Sequence, residues 1–181
     1  MIVPSTAYDA KGLLKTALRS NDPVIMLEHR ELLSVKGPVP EGDYEIPFGV
    51  ASIVREGTDV TVVALAQMVH RTMSVCGQLA ADGIEVELID PRTTSPLDTD
   101  TIIASVRKTG RLLVIDEAYG PCGIGAEILA TVADDGFDDL DAPLKRLNCR
   151  FTPIPYSPPL EAAVVPQADQ IERTIRELVA E

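Results

Sequence analysis

VIDEAYGPCGIGAEI, residues Val114–Ile128, begins as an apolar strand, turns through three glycines and leaves as a helix. Glycine turns that open a helix cradle phosphates, because free backbone N–H groups and the helix dipole favour an anion there. A dinucleotide fingerprint starting at Gly123 needs glycine where Ile128 stands, and this turn follows the third strand of its unit rather than the first. Asp116, Glu117 and Glu127 also crowd the place a phosphate would take, and like charges repel. The glycines are therefore read as a tight reversal, supplying positive φ angles and a close helix–strand approach. Glu117, at the carboxyl end of its strand, stands where open α/β sheets bind ligands. It reads either as an acid–base residue or as a structural ion-pair partner of Arg92, which ends the segment ELIDPR; the ion pair is favoured.

Outward from this turn the chain alternates apolar strands with helices. DVTVVALA (59–66) precedes a helix from Met68 to about Ala81, EVELID (85–90) precedes one from Thr99 to Lys108, and RLLVIDEA (111–118) leads into the helix after Gly123. The strand LKRLNC (144–149) and a helix from Gln167 to Ala180 close the pattern. Strands apolar on both faces and separated by helices predict a doubly wound, mostly parallel α/β sheet covered on both sides. This domain is assigned residues 49–181. Residues 31–48, with Pro38, Pro40, Pro47, Gly37 and Gly42, read as a linker without regular structure. Residues 1–30 read as an amphipathic helix carrying Leu13, Leu14, Ala17 and Leu18, with Asp9 near its start, followed by a strand Val24–Leu27. One helix and one strand cannot bury their own apolar faces, so this piece reads as the end of a further, incomplete domain.

The 181 residues carry 28 Asp and Glu against 16 Lys and Arg, a formal net charge of −12. That balance repels nucleic acid and anionic lipid and favours a basic partner. No apolar run approaches the roughly 20 residues of a membrane-spanning helix, and the first residues lack a signal-peptide pattern, so a cytoplasmic protein is expected. Cys76, Cys122 and Cys149 form no close pair and suggest neither disulfides nor zinc. His29 and His70 are too far apart in sequence to define a metal site and read as structural or surface residues.

The segments YDAKGLL (8–14), NDPVIMLEH (21–29), IDPRTTSPLD (89–98), ASVRKTGRLLVIDEA (104–118), GIGAEI (123–128), LDAP (140–143) and PIPYSPPLE (153–161) occur in the order found in one family. Together they resemble the beta subunit of the E1 component of 2-oxo acid dehydrogenase complexes, the thiamine-diphosphate enzymes acting on pyruvate or branched-chain 2-oxo acids, with the acetoin dehydrogenase beta subunit also similar. The resemblance implies that residues 1–30 end a thiamine pyrimidine-binding domain and that 49–181 form a transketolase C-terminal domain. The glutamate that activates the cofactor lies in the part of the pyrimidine domain outside these residues. No catalytic or cofactor-binding residue is carried over, and thiamine diphosphate with Mg²⁺ is expected only in a complete enzyme.

The same resemblance implies two sites. A monovalent-cation site, for K⁺, takes ligands matching the Ala17 carbonyl, Ser20 and Asp22, the last two standing where the family usually has Asp and Asn. A docking site for the basic peripheral subunit-binding domain of E2 uses an acid matching Asp141 and the C-terminal carboxylate, here on Glu181. The acidic stretch Asp134, Asp135, Asp138, Asp139 and Asp141 supports a basic partner independently. His70 matches a histidine of branched-chain members and is expected either to face a channel to the active site or to be structural. The implied partners are an E1 alpha subunit, a second beta chain and E2. Two further readings stay open: one half of a split transketolase-like transferase, and a non-catalytic α/β binding module.

Overall fold

The apolar runs become strands buried on both faces. In the computed structural model, which describes Met1–Glu181, β2 (Val60–Ala64), β3 (Val86–Asp90) and β4 (Leu112–Tyr119) pair in parallel, and β5 (Lys145–Cys149) adds to β4 in the same sense. One short strand, β1 (Ser52–Arg55), pairs antiparallel with β3 at the far edge and gives the order β1-β3-β2-β4-β5. The doubly wound, mostly parallel sheet expected from the sequence is thus the one formed. Helix α1 (Ala7–Arg19) precedes the sheet, and no helix is long and apolar enough to cross a membrane.

Two helix layers cover the faces. Helices α2 (Gln67–Ala81) and α6 (Ala168–Val179) seal one side, where Met68, Leu79, Ile171, Ile175 and Leu178 bury against Val62, Leu88, Leu113 and Ile115. The α6 residues recur at spacings of four and three, one stripe of a helix. Helices α3 (Thr99–Thr109) and α4 (Ile124–Asp135) cover the other side with Ile102, Val106, Ile128 and Val132 on Val63, Ile89 and Val114. Asp98 caps α3 by accepting the Thr101 N–H at 3.0 Å, and its second oxygen accepts the Ala51 N–H at 2.8 Å, so one carboxylate fixes both a helix start and the entry to β1. A short helix α5 (Pro158–Ala162) precedes α6.

The first 48 residues depart from expectation. Val24–Leu27 forms no strand: Met26 makes one bridge to Ile2, while Ile25 and Leu27 are exposed. An isolated pair of extended segments lacks the neighbours that would bury both faces. The supposed linker contains a 3-10 turn, Arg30–Ser34, and folds back so that Ile46 buries beside Leu13 and Ile2. Lys11 binds the carbonyls of Pro40 and Gly42, holding the proline-rich segment along α1. Ile2 also bridges to Thr93, and the Val3 N–H donates to the Arg92 carbonyl at 2.8 Å, which fastens the N-terminal segment to the exit of β3.

Candidate functional site

Strand β4 changes character at its carboxyl end. Leu112–Ile115 are fully buried, and the next two residues are carboxylates. The pairing with β5 shifts between Asp116 and Tyr119, a bulge that frees Glu117 and Ala118 from the ladder and turns them to the sheet edge. In the strand order, β3 and β4 lie on opposite sides of β2, so the edge between β2 and β4 is the topological switch point where open α/β sheets hold ligands. A cleft of about 820 Å³ opens there, between Leu65 and Ala66 after β2, the Asp116–Ala118 segment, and Gly123 to Glu127 at the start of α4.

Glu117 is held rather than free. His29 Nε2 lies 2.5 Å from its Oε2, and Arg71 Nη1 lies 3.9 Å from Oε1. His29 Nδ1 accepts the Glu31 N–H at 3.3 Å, which places the ring proton of a neutral imidazole on Nε2. With both nitrogens engaged, His29 is neither a ready base nor a metal ligand. Arg71 also donates to the Pro166 carbonyl at 2.8 Å and approaches Glu31 at 3.7 Å. The His29–Glu117 pair thus forms a wall between the switch-point cleft and a neighbouring cavity of about 570 Å³ floored by Arg71, Pro158 and Gln167.

Arg92 is not the partner of Glu117. Strand β2 stands between their strands, and Arg92, at φ +58°, lies 2.7 Å from Asp9 Oδ1 in a contact that is ionic rather than hydrogen-bonded. Around it sits a buried polar clasp. The Ser5 hydroxyl donates to Asp90 Oδ2, the Arg92 N–H donates to Asp90 Oδ1 at 2.9 Å, and Thr6 caps α1 by accepting the Asp9 N–H at 3.1 Å. Burial first, with the nearby Asp9 charge, pushes Asp90 up to about 6 against the opposing Ser5 and Arg92 contacts. His70, on the first turn of α2, spends Nε2 on the Ser5 carbonyl at 2.7 Å and lines neither cavity. It pins the same clasp.

The glycine turn does not work as expected in one respect. The positive φ falls on Cys122 at +58°, while Gly123 is extended at −79°. Close approach requires glycine at one position: a Cβ on Gly123 would lie 2.5 Å from the Tyr119 carbonyl, whereas one on Gly125 would meet Val114 at an ordinary 3.4 Å. No Lys or Arg lines this cleft, whereas Asp116, Glu117 and Glu127 do. The donor set does not fit a diphosphate or its Mg²⁺, and no group of three His, Cys, Asp or Glu residues is placed to hold a metal.

Ala17, Ser20 and Asp22 sit together where α1 ends. The Ala17 carbonyl accepts the Ser20 N–H at 3.3 Å, and the Ser20 hydroxyl accepts the Asp22 N–H at 3.1 Å. Asp141 and Glu181 each lie beside the amino-terminal ends of strands β4 and β5, opposite the cleft. The Asp141 N–H donates to the Gly110 carbonyl at 2.7 Å just before β4, and the Glu181 side chain pairs with Lys145 at the start of β5. Arg107 holds Asp139 at 3.0 Å, whereas Asp134, Asp135, Asp138 and Asp141 meet no cation. Cys122 is exposed, and burial raises the thiols of Cys76 and Cys149. Sequence reading missed the joining of His29 to Glu117, since nothing in a lone EH dipeptide announces a partner 88 residues on.

Residues 49–171 match the family described as transketolase, C-terminal domain, and the chain belongs to that family. Among curated proteins, it is 49% identical over 99% of its length to the acetoin:2,6-dichlorophenolindophenol oxidoreductase subunit beta of Bacillus subtilis (strain 168), covering 53% of that protein. It is also 43% identical to the pyruvate dehydrogenase E1 component subunit beta of the same organism, over 99% of this chain and 55% of that one. With its 2-oxoisovalerate dehydrogenase subunit beta the identity is 41%, over 98% of this chain and 55% of that one. The chain spans about half the length of the curated relatives it matches. A solved structure titled split gene transketolase, inactive beta4 tetramer, superposes with a TM-score of 0.80 at 22% identity, over 99% of this chain and 57% of that one, a likeness of fold.

Proposed function

We propose that this chain is the C-terminal part of the beta subunit of a thiamine-diphosphate-dependent 2-oxo acid dehydrogenase E1, serving assembly and E2 docking. The observation that carries the reading is identity of 41% to 49% over nearly the whole chain to beta subunits of acetoin, pyruvate and 2-oxoisovalerate enzymes. In a complete enzyme the reaction would be oxidative decarboxylation of a 2-oxo acid with acyl transfer to lipoamide. We place no step of that reaction on these residues, a reading supported by the lining of the switch-point cleft, which brings Asp116, Glu117 and Glu127 together without a Lys or Arg. The split transketolase shares the fold at 22% identity, which does not favour a transferase.

Partners in this reading are an E1 alpha subunit, a second beta chain and the basic peripheral subunit-binding domain of E2. The last would meet the edge carrying Asp141, Glu181 and the unpaired Asp134, Asp135 and Asp138, whose field speeds encounter with a cation-rich surface. The Glu181 side chain already pairs with Lys145, which leaves Asp141 as the carboxylate most open to a cation there. The Ala17 carbonyl, Ser20 and Asp22 would supply part of a K⁺ site, completed by oxygens from elsewhere.

Calorimetric titration of this chain with an E2 peripheral domain tests the reading. Binding should weaken as salt rises, and Asp141→Asn should weaken it by about tenfold, the scale of one charge-assisted contact. Absence of binding at low salt, or binding indifferent to both changes, would refute the docking role. Mixing the chain with an alpha subunit, thiamine diphosphate and Mg²⁺ should give no decarboxylation; turnover would overturn the placement of the chemistry outside these residues.

A further inference from the structure

Two carboxylates in the switch-point cleft, Asp116 and Glu127, have no ion-pair partner. Asp116 is 9% exposed and lines the cleft, yet its only partners are backbone groups, with the Ala118 N–H donating to Oδ1 at 3.1 Å. Burying an unpaired carboxylate is costly, and proteins that keep one there pair it with something. The neighbouring Glu117 already lies 2.5 Å from His29 Nε2, with the Arg71 cation 3.9 Å away on its far side. Glu127 faces the same cleft from the first turn of α4, exposed and without an ion-pair partner. Most of the remaining surface there is apolar, including Val3, Leu65 and Ile124, with Thr94 and Ser95 as neutral polar neighbours. The starts of α2 and α4 border this space and would by themselves attract an anion, but the carboxylates already occupy that field.

We propose that this cleft binds a protonated amine carried on a small apolar body, with Asp116 as its buried counter-ion and Glu127 as a second anion at the mouth. Volume suits such a ligand: about 820 Å³ lies within the range of small-molecule sites, which are mostly apolar with a few placed polar groups. The ammonium would approach the Asp116 carboxylate while Oδ1 stays on Ala118, and the apolar body would lie on Leu65 and Ile124. The proposal stands whether or not the chain assembles as a beta subunit.

The test is titration of the 181-residue chain with benzylamine, followed by calorimetry and by the Ala118 amide resonance, with benzyl alcohol and benzoate as matched controls. Benzylamine should bind one to one and shift Ala118, benzyl alcohol should bind at least about tenfold more weakly, the scale of a charged hydrogen bond, and benzoate should not bind. Asp116→Asn, which keeps the acceptor for Ala118, should bring benzylamine down to the level of benzyl alcohol, and Glu127→Gln should weaken it less. Equal binding of amine and alcohol would show an apolar cleft only, and binding of benzoate would show the helix starts to dominate. Either result, or a silent Ala118, overturns the proposal. Should Asp116→Asn not fold, the control ligands and Glu127→Gln on exposed surface decide it alone.

Discussion

Replacing Asp90 by asparagine should flatten the pH dependence of stability. Asp90 is 1% exposed, and burial raises it from an ordinary 3.8 to about 6. Each unit of difference between folded and unfolded chain is worth about 1.36 kcal/mol, so the charged form costs the fold about 3 kcal/mol above the titration. A raised carboxylate stabilises while protonated. Its contribution is complete below pH 3.8, the unfolded value, and is lost as pH rises through about 6. Over a practical window, from about pH 7.5 down to about pH 5, the wild-type chain should gain about 1 kcal/mol from this group. Opposing carboxylates act lower: Asp43, held down by Lys15 and Arg19, and Asp82, held down by Arg176, lose their contributions only as pH falls below the ordinary carboxylate range. Asparagine keeps an acceptor for the Arg92 N–H and has no proton to lose. Urea unfolding at these two pH values measures the difference. Asp116, also raised by burial, leaves a residual slope in both proteins. An unchanged pH slope in Asp90→Asn would refute the argument that the clasp buries a costly charge.

A Cβ at Gly57 would stand 2.2 Å from the Val86 carbonyl carbon and 2.3 Å from the Glu87 nitrogen, so Gly57→Ala must push its own backbone away from β3. A loss of roughly 3 kcal/mol, the upper end of the overpacking range, should lower the melting temperature by on the order of 10 °C; an unaltered melt would contradict this packing. In the folded chain one thiol, Cys122, should react promptly with a disulfide reagent, and all three should react in denaturant. Fast reaction of Cys76 or Cys149 without denaturant would show that those thiols are not sealed in the fold.

How much of this is legible in the sequence depends on burial. β2, β3 and the first half of β4 are enclosed on both faces, and strands so placed run largely apolar, as VTVVA and LLVI display, with Glu87 and Asp90 of β3 the buried exceptions. β1 lies at the edge with its middle residues exposed, so Ser52–Arg55 carries no such signature and escapes a reading by pattern. Val24–Leu27 has the composition of a strand without the neighbours of one. Arg92 and Glu117 invite pairing because both end strands, but a linear sequence does not say that β2 is threaded between them. His29, Arg71 and Glu117 come from three separate segments, and only the fold brings them together. The carboxylates at the end of β4 are visible in the sequence; that one is matched and the other bare is not.

The eight residues of β4 separate two different surfaces. At about 3.3 Å per residue, roughly 20 Å separates the acidic rim beside Gly110 from the cleft at Asp116. Its first four side chains are locked between both helix layers. A macromolecule seated on the rim therefore leaves the far opening unobstructed, and substitutions can accumulate at either pole without disturbing its opposite.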